Sequence, residues 1–169
     1  GVIASLYHIL SHAATKALLF VAASGITDAS DNHTDFFKLT GAGYRNKLAG
    51  IAFTAGSLSM IGIPMFCGFI SKLLFAQAGM DNTYKMFPTL IALAISTILN
   101  AVYFMKTVIR IYTPVSRKEI QKNGYRNISM KEQPVKSVAL VFFILLNLIL
   151  GLCSEPIVMA LQNGLGMFA

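Results

Sequence analysis

The chain has 169 residues, 55% of them hydrophobic and 12% charged, with a mean hydropathy of +0.64. A soluble domain of this size needs more charge than that to cover its surface. A net charge of +7 would suit a nucleic-acid surface in a soluble protein, but here the basic residues gather between apolar blocks without interleaved aromatics, so orientation in a membrane accounts for them better.

Four apolar blocks reach the roughly 20 residues that a helical span requires: Gly1 to about Gly25, Leu48 to about Gly79, Pro88 to about Tyr112, and Val135 to about Pro156. The fold class read from them is all-α integral membrane, with four transmembrane helices. Gly1 opens directly into the first block with no charged leader or cleavage site, so the block is not a signal peptide and reads as a piece of a longer membrane protein. Cys67 and Cys153 lie inside apolar blocks without ligand spacing and read as small core residues.

The first block is helical by length and composition, with Gly25 followed by Thr27 and Asp28 as its stop signal. The linker behind it sets Asp28, Asp31 and Asp35 against Lys38, Arg45 and Lys47, and Asp35-Phe36-Phe37 suggests a short interfacial stretch. The second block is too long for one straight span: at 1.5 Å per residue it would run to about 46 Å against about 30 Å of hydrocarbon. Inside it stand Gly62 and Pro64. The proline removes a donor and crowds the preceding turn, and the glycine relaxes the chain. The second helix is therefore expected to be broken near Ile61 to Pro64, and unwound backbone survives in a bilayer only against protein or a wet cavity. The third block is expected to start at Pro88, a first-turn position, and to end before Pro114. The fourth runs from Pro134 to near Pro156, and the tail beyond is weakly amphipathic.

Lys and Arg set the orientation. Lys106, Arg110, Arg117, Lys118, Lys122, Arg126, Lys131 and Lys136 cluster between and beside blocks three and four; Lys38, Arg45 and Lys47 follow block one. Both groups fall on the same side when each block crosses once, which places them in the cytoplasm and both ends of the chain outside. Localisation is expected to be the cell membrane, multi-pass.

His8, His12 and Lys16 recur at i, i+4 and i+8 in the middle of block one, with Thr15 beside them. A lysine near the bilayer centre costs at least about 2.5 kcal/mol. Such a group is tolerable when it faces water or a counter-ion, or when it sheds its proton readily, as burial encourages. Histidines titrate near neutrality and can hand protons along the same helix. The bland alternative is a polar stripe that only binds helices together. The His-x-x-x-His spacing also suits zinc, but no acid or thiol accompanies it and Lys16 would repel a cation, so no metal site is expected. Lys72, with Ser71 beside it, follows the break: a snorkelling lysine in the bland reading, a proton site in the sharper one. No carboxylate stands in mid-span, so an acidic partner for these lysines would have to come from elsewhere.

The His8-x-x-x-His12-x-x-x-Lys16-Ala-Leu-Leu-Phe20 helix, followed by Gly62-Ile-Pro64 and Gly68-Phe-Ile-Ser-Lys72, resembles the antiporter-like membrane subunits shared by respiratory complex I, Mrp-type cation/proton antiporters and membrane-bound hydrogenases. The resemblance covers about the first half of the chain. It implies a subunit of roughly fourteen helices built from two inverted repeats, of which this chain looks like the last four. It implies also that Lys16 matches the family's central relay lysine, His8 and His12 its connecting histidines, and Lys72 the lysine of the second broken helix. The family's glutamate–lysine pair belongs to the first repeat and is absent here. The family often carries a second proline after Gly-x-Pro, where this chain has Met65, and a Gly-rich helix end where this chain has Ser24-Gly25.

The function expected is proton or cation/proton translocation within a multisubunit complex, carried by His8, His12, Lys16 and Lys72 with Thr15 and Ser71 in support and Gly62 and Pro64 shaping the break. Residues 1–79 would form the relay and broken helices, and residues 80–169 a helix pair with the basic cytoplasmic loop. A Mrp-type sodium/proton antiporter subunit is the alternative within transport; a structural subunit with no ion path is the alternative outside it. The chain carries no flavin or nucleotide motif and no cysteine cluster, so no cofactor is expected and any oxidoreductase chemistry would lie in other subunits of an NADH dehydrogenase-like or hydrogenase-like complex. The partners implied are those membrane subunits, the lipid bilayer and the proton, with sodium as the other coupling ion, and no nucleic acid.

Overall fold

The computed structural model describes residues 1–81, 83–115 and 125–166; Arg117, Lys118 and Lys122 of the basic loop lie outside them. Among the described residues the chain is all helix and turn: α1 (Val2–Asp28), α2 (Ala42–Arg45), α3 (Lys47–Ile61), α4 (Cys67–Met80), α5 (Thr83–Ile111), α6 (Pro134–Leu152) and α7 (Ser154–Gly166). Helices α1, α5 and α6 are each long and apolar enough to cross a membrane. Helices α3 and α4 together make the broken fourth span.

Helix α1 is the hub and packs on α3, α4 and α6, while α3 and α4 also pack on α5. Water cannot drive helices together inside lipid, so close backbone approach has to do it, and small residues permit that. Ala22 and Ile26 of α1 meet Ala49, Ala52 and Phe53 of α3, with Phe104, Val108 and Ile111 of α5 and Leu140 of α6 completing the core. Gly25 serves this contact and does not end α1, contrary to its reading as a stop. Its carbonyl accepts from Asn46 Nδ2 at 3.0 Å, and a β-carbon on it would stand 2.8 Å from that of Ala49. The helix therefore runs on to Asp28.

Helix α5 starts at Thr83, five residues earlier than the proline signal suggested, and Pro88 lies inside it. A proline in the second turn withholds only one backbone bond near the frayed end, so the helix tolerates it. Helix α6 ends at Leu152, and Pro156 stands in the first turn of α7, where its missing donor costs little.

The two basic loops meet at one end of the bundle. Arg126 N–H donates to the Ala29 carbonyl and Ile128 N–H to that of Arg45. Arg45 is buried: its guanidinium donates to the carbonyls of Ala29 and Thr40 and to Ser30 Oγ, at 2.9–3.0 Å, and stacks 4.2 Å from the Tyr125 ring. Burial lowers the pKa of this guanidinium from its ordinary value, against the opposing pull of Tyr125. Nearby, Lys136 at the start of α6 pairs with Asp28 at the end of α1, Gln133 Nε2 donates to the same carboxylate oxygen, and Lys136 also reaches Ser24 Oγ. Phe36 and Phe37 of the suggested interfacial stretch lie under the Arg110 guanidinium at 5.5 and 4.7 Å.

Candidate functional site: a cavity at the broken helix

The break lies where proline and glycine indicated. Helix α3 ends at Ile61, and Gly62 takes a left-handed conformation with φ +92°. Its N–H donates to Ser59, and that of Ile63 to Leu58; these are the two bonds of a Schellman closure, which glycine makes at no steric cost. Residues 62–66 are non-helical, and α4 begins at Cys67. Met65 has φ +85°, a conformation closed to proline, whose ring fixes φ near −65°. Two glycines admit the break into the bundle: a β-carbon on Gly68 would stand 1.8 Å from the Ser59 carbonyl oxygen, and one on Gly151 of α6 2.1 Å from that of Met65.

Beside the break lies a cavity of about 210 Å³ lined by His8, Ser11, His12 and Thr15 of α1, Ser59 and Met60 of α3, Gly68, Ser71 and Lys72 of α4, and Ser96 and Asn100 of α5. Three of the four titratable residues singled out by sequence thus share one space. The His8 and His12 rings are 5.3 Å apart between centroids, and His8 Nδ1 lies 2.7 Å from Ser71 Oγ. Ser71 therefore orients the imidazole as well as standing next to Lys72 in the chain.

The hydrogen bonds of Lys72 go to groups other than the histidines. Its Nζ donates to the Ile61 carbonyl at 2.7 Å and to Thr97 Oγ1 of α5 at 2.8 Å. The Ile61 carbonyl belongs to the last turn of α3, where the helix dipole is negative. The lysine is thus met by a helix terminus and a hydroxyl in place of a carboxylate. Its side chain also lines a second space of about 480 Å³, largely apolar, between Gly62, α4 and α5.

Lys16 does not join the histidine cavity. It lines another space of about 350 Å³ with Leu19, Phe20, Phe53, Tyr103, Phe104 and Thr107 among its neighbours. Among the described residues it has no hydrogen bond or ion pair. Helix geometry permits the separation: at about 100° per residue, four residues carry His12 about 40° round from His8, and eight carry Lys16 about 80°, to face a different wall.

Thr15 turns inward, into a network the sequence reading missed. Its hydroxyl donates to Asn147 Oδ1 at 2.8 Å and lies 2.8 Å from the Ser11 carbonyl and 3.1 Å from Ser59 Oγ. Cys67 Sγ reaches the same Asn147 oxygen at 3.0 Å, and Asn147 Nδ2 donates to the Phe143 carbonyl. This knot ties α1, α3, α4 and α6 directly behind the cavity. Thr15, beside the histidine row, and Asn147, the one amide in an apolar run, were its legible signals; nothing in the spacing marked Cys67 or Ser59. Among the described residues no group of histidines, cysteines or acids could hold a metal ion.

Comparison with known proteins matches residues 1–99 to the family described as NADH:quinone oxidoreductase/Mrp antiporter, TM, a span that includes every titratable residue of the site. The chain is 30% identical over 132 residues to NADH-ubiquinone oxidoreductase chain 5 of Papio hamadryas, covering 76% of this chain and 21% of that one. It is 30% identical over 104 residues to the same-named chain of Patiria pectinifera, covering 62% and 16%. It is 27% identical over 139 residues to NADH-quinone oxidoreductase subunit L of Campylobacter jejuni, covering 81% and 23%. The chain therefore spans less than a quarter of the length of these relatives. No solved structure matches it. Family and apolar helices together make this a multi-pass membrane protein.

Proposed function

Because the chain belongs to the NADH:quinone oxidoreductase/Mrp antiporter transmembrane family, we propose that it is the part of an antiporter-like subunit that carries protons across the membrane within a multisubunit complex. The observation that supports this reading most is the shared cavity of His8, His12 and Lys72 at the broken helix. Imidazoles titrate near the working pH and lysine can change charge when desolvated, so the three can load and unload protons in turn. Ser71 holds His8 and Thr15 anchors α1 behind them. Lys16, one helical turn beyond His12, serves as the carrier on the side of the separate cavity against α5. Residues 1–79 supply the carriers; residues 80–169 supply the basic loop and the opposing wall of α5.

A sodium-coupled, Mrp-type role is the second reading. A lining that sets the Lys72 ammonium beside two imidazoles repels sodium through the lysine and offers nitrogen bases to a proton, which favours the first. The test is proton uptake by sealed membranes containing the full-length subunit in its complex, with His8→Gln and His12→Gln combined. Transport should fall at least tenfold with the subunit still assembled. Transport at the unmodified rate would sink the relay and leave a structural role.

A further inference from the structure

Among the described residues, Lys72 is the one titratable residue that lines both the histidine cavity and the apolar space on its other side. Both of its hydrogen-bond acceptors, the Ile61 carbonyl and Thr97 Oγ1, lie on the walls of the apolar space, and neither Ile61 nor Thr97 lines the histidine cavity. The Thr97 hydroxyl is itself committed: it donates to the Leu93 carbonyl at 2.8 Å, so toward Lys72 it can only accept. The lysine stem lies along Gly62, with Cδ 3.0 Å and Cε 3.4 Å from where a β-carbon would be, so the missing side chain of Gly62 leaves the slot in which the stem rests. In this position the ammonium has two neutral acceptors, one of them the carbonyl at a helix terminus, and neither is an imidazole to which it would pass a proton.

Resting on the proton-carrier reading above, we propose that Thr97 is a positioning residue: with the Ile61 carbonyl it forms a parking place for the Lys72 ammonium, which must leave Thr97 and swing into the histidine cavity to exchange its proton. The step is a simple proton transfer. The N–H bond at Nζ breaks, an N–H bond forms at an imidazole nitrogen, and an ammonium and a neutral imidazole become a neutral amine and an imidazolium. The titratable groups facing Lys72 across the cavity are His8 and His12 of α1; among the described residues α3, α4 and α5 add no acid to its lining. A parked lysine keeps its proton from leaking to the histidines between turnovers, and the hydroxyl of Thr97 sets how long it stays.

The proposal is tested in the full-length subunit in its native complex, in sealed membranes, by comparing Thr97→Val, Thr97→Ser and Lys72→Ala. Valine keeps the shape and removes the acceptor; serine keeps the acceptor. Thr97→Val should let an imposed proton gradient collapse several-fold faster in the idle complex, and Thr97→Ser should restore the normal leak. Lys72→Ala should abolish transport. If Lys72→Ala is silent, the carrier reading falls and this proposal with it. If Lys72→Ala abolishes transport while Thr97→Val leaks no faster than the unmodified protein, or Thr97→Ser leaks as fast as Thr97→Val, only the parking role is overturned.

Discussion

Gly151 of α6 lies so close beneath Met65 that a β-carbon on it would stand 2.1 Å from the Met65 carbonyl oxygen. The obstacle is backbone, held by a residue already at φ +85°, and it cannot rotate aside as a side chain would. Gly151→Ala should therefore push α6 away from the break and lower stability by about 1–3 kcal/mol, the usual cost of overpacking a filled interior. A lower melting temperature of the purified full-length subunit in detergent is the expected result. An unchanged one would mean that the break is not wedged between α4 and α6 as described.

The knot behind the cavity predicts energetic coupling between Thr15 and Asn147. Each is buried, and their hydrogen bond at 2.8 Å spans two helices. Interhelical hydrogen bonds in membrane proteins contribute about 0.6 kcal/mol on average and up to about 1.7. A double-mutant cycle of Thr15→Val and Asn147→Leu should return a coupling in that range. Strict additivity would assign the two residues to independent packing.

For Lys16 the informative comparison is alanine against arginine. Guanidinium does not release its proton in the working pH range, so Lys16→Arg should fail in proton transport as Lys16→Ala does, each by at least tenfold in sealed membranes. Arginine that transports normally would show that a fixed positive charge suffices there.

Orientation can be checked by labelling single cysteines with an impermeant reagent. Lys131, in the basic loop, and Asp81, at the turn between α4 and α5, are both exposed and stand at opposite ends of the bundle. Lys131→Cys should react only from the cytoplasmic side and Asp81→Cys only from the other. The reverse pattern would invert the direction of the path. Asn123, near the middle of the loop, is an equivalent probe but lies outside the described residues.

Much of the bundle was legible because lipid imposes a coarse rule. Block length and breakers gave the four spans, and Gly62 with Pro64 gave the break, since they stand where one straight helix would overrun the bilayer. The errors share a cause. In the local code Gly25 reads as a helix stop and Pro88 as a helix start, yet α1 and α5 run through both. In the first case Asn46 and Ala49, about twenty residues away in sequence, make glycine a contact residue. The histidine row was legible from spacing, but the separation of Lys16 from it depends on which neighbours fill the wall opposite each 40° of helix. The Thr15–Cys67–Asn147 knot was illegible for the same reason: its members are scattered over more than 130 positions and no local pattern joins them.

The buried Arg45 has a consequence for the order in which the chain comes together. Its three acceptors belong to Ala29, Ser30 and Thr40, all of which leave the ribosome before it does, whereas Tyr125 arrives some eighty residues later. The hydrogen bonds of the guanidinium can therefore form as soon as residue 45 emerges, before α5 packs on the linker. Pulse-labelled chains stalled after α3 should already shield this linker from protease, and Arg45→Gln chains should not. On that outcome, a charge that would otherwise weigh only in setting topology would also seed local structure, with Tyr125 of the second basic loop stacking on it later.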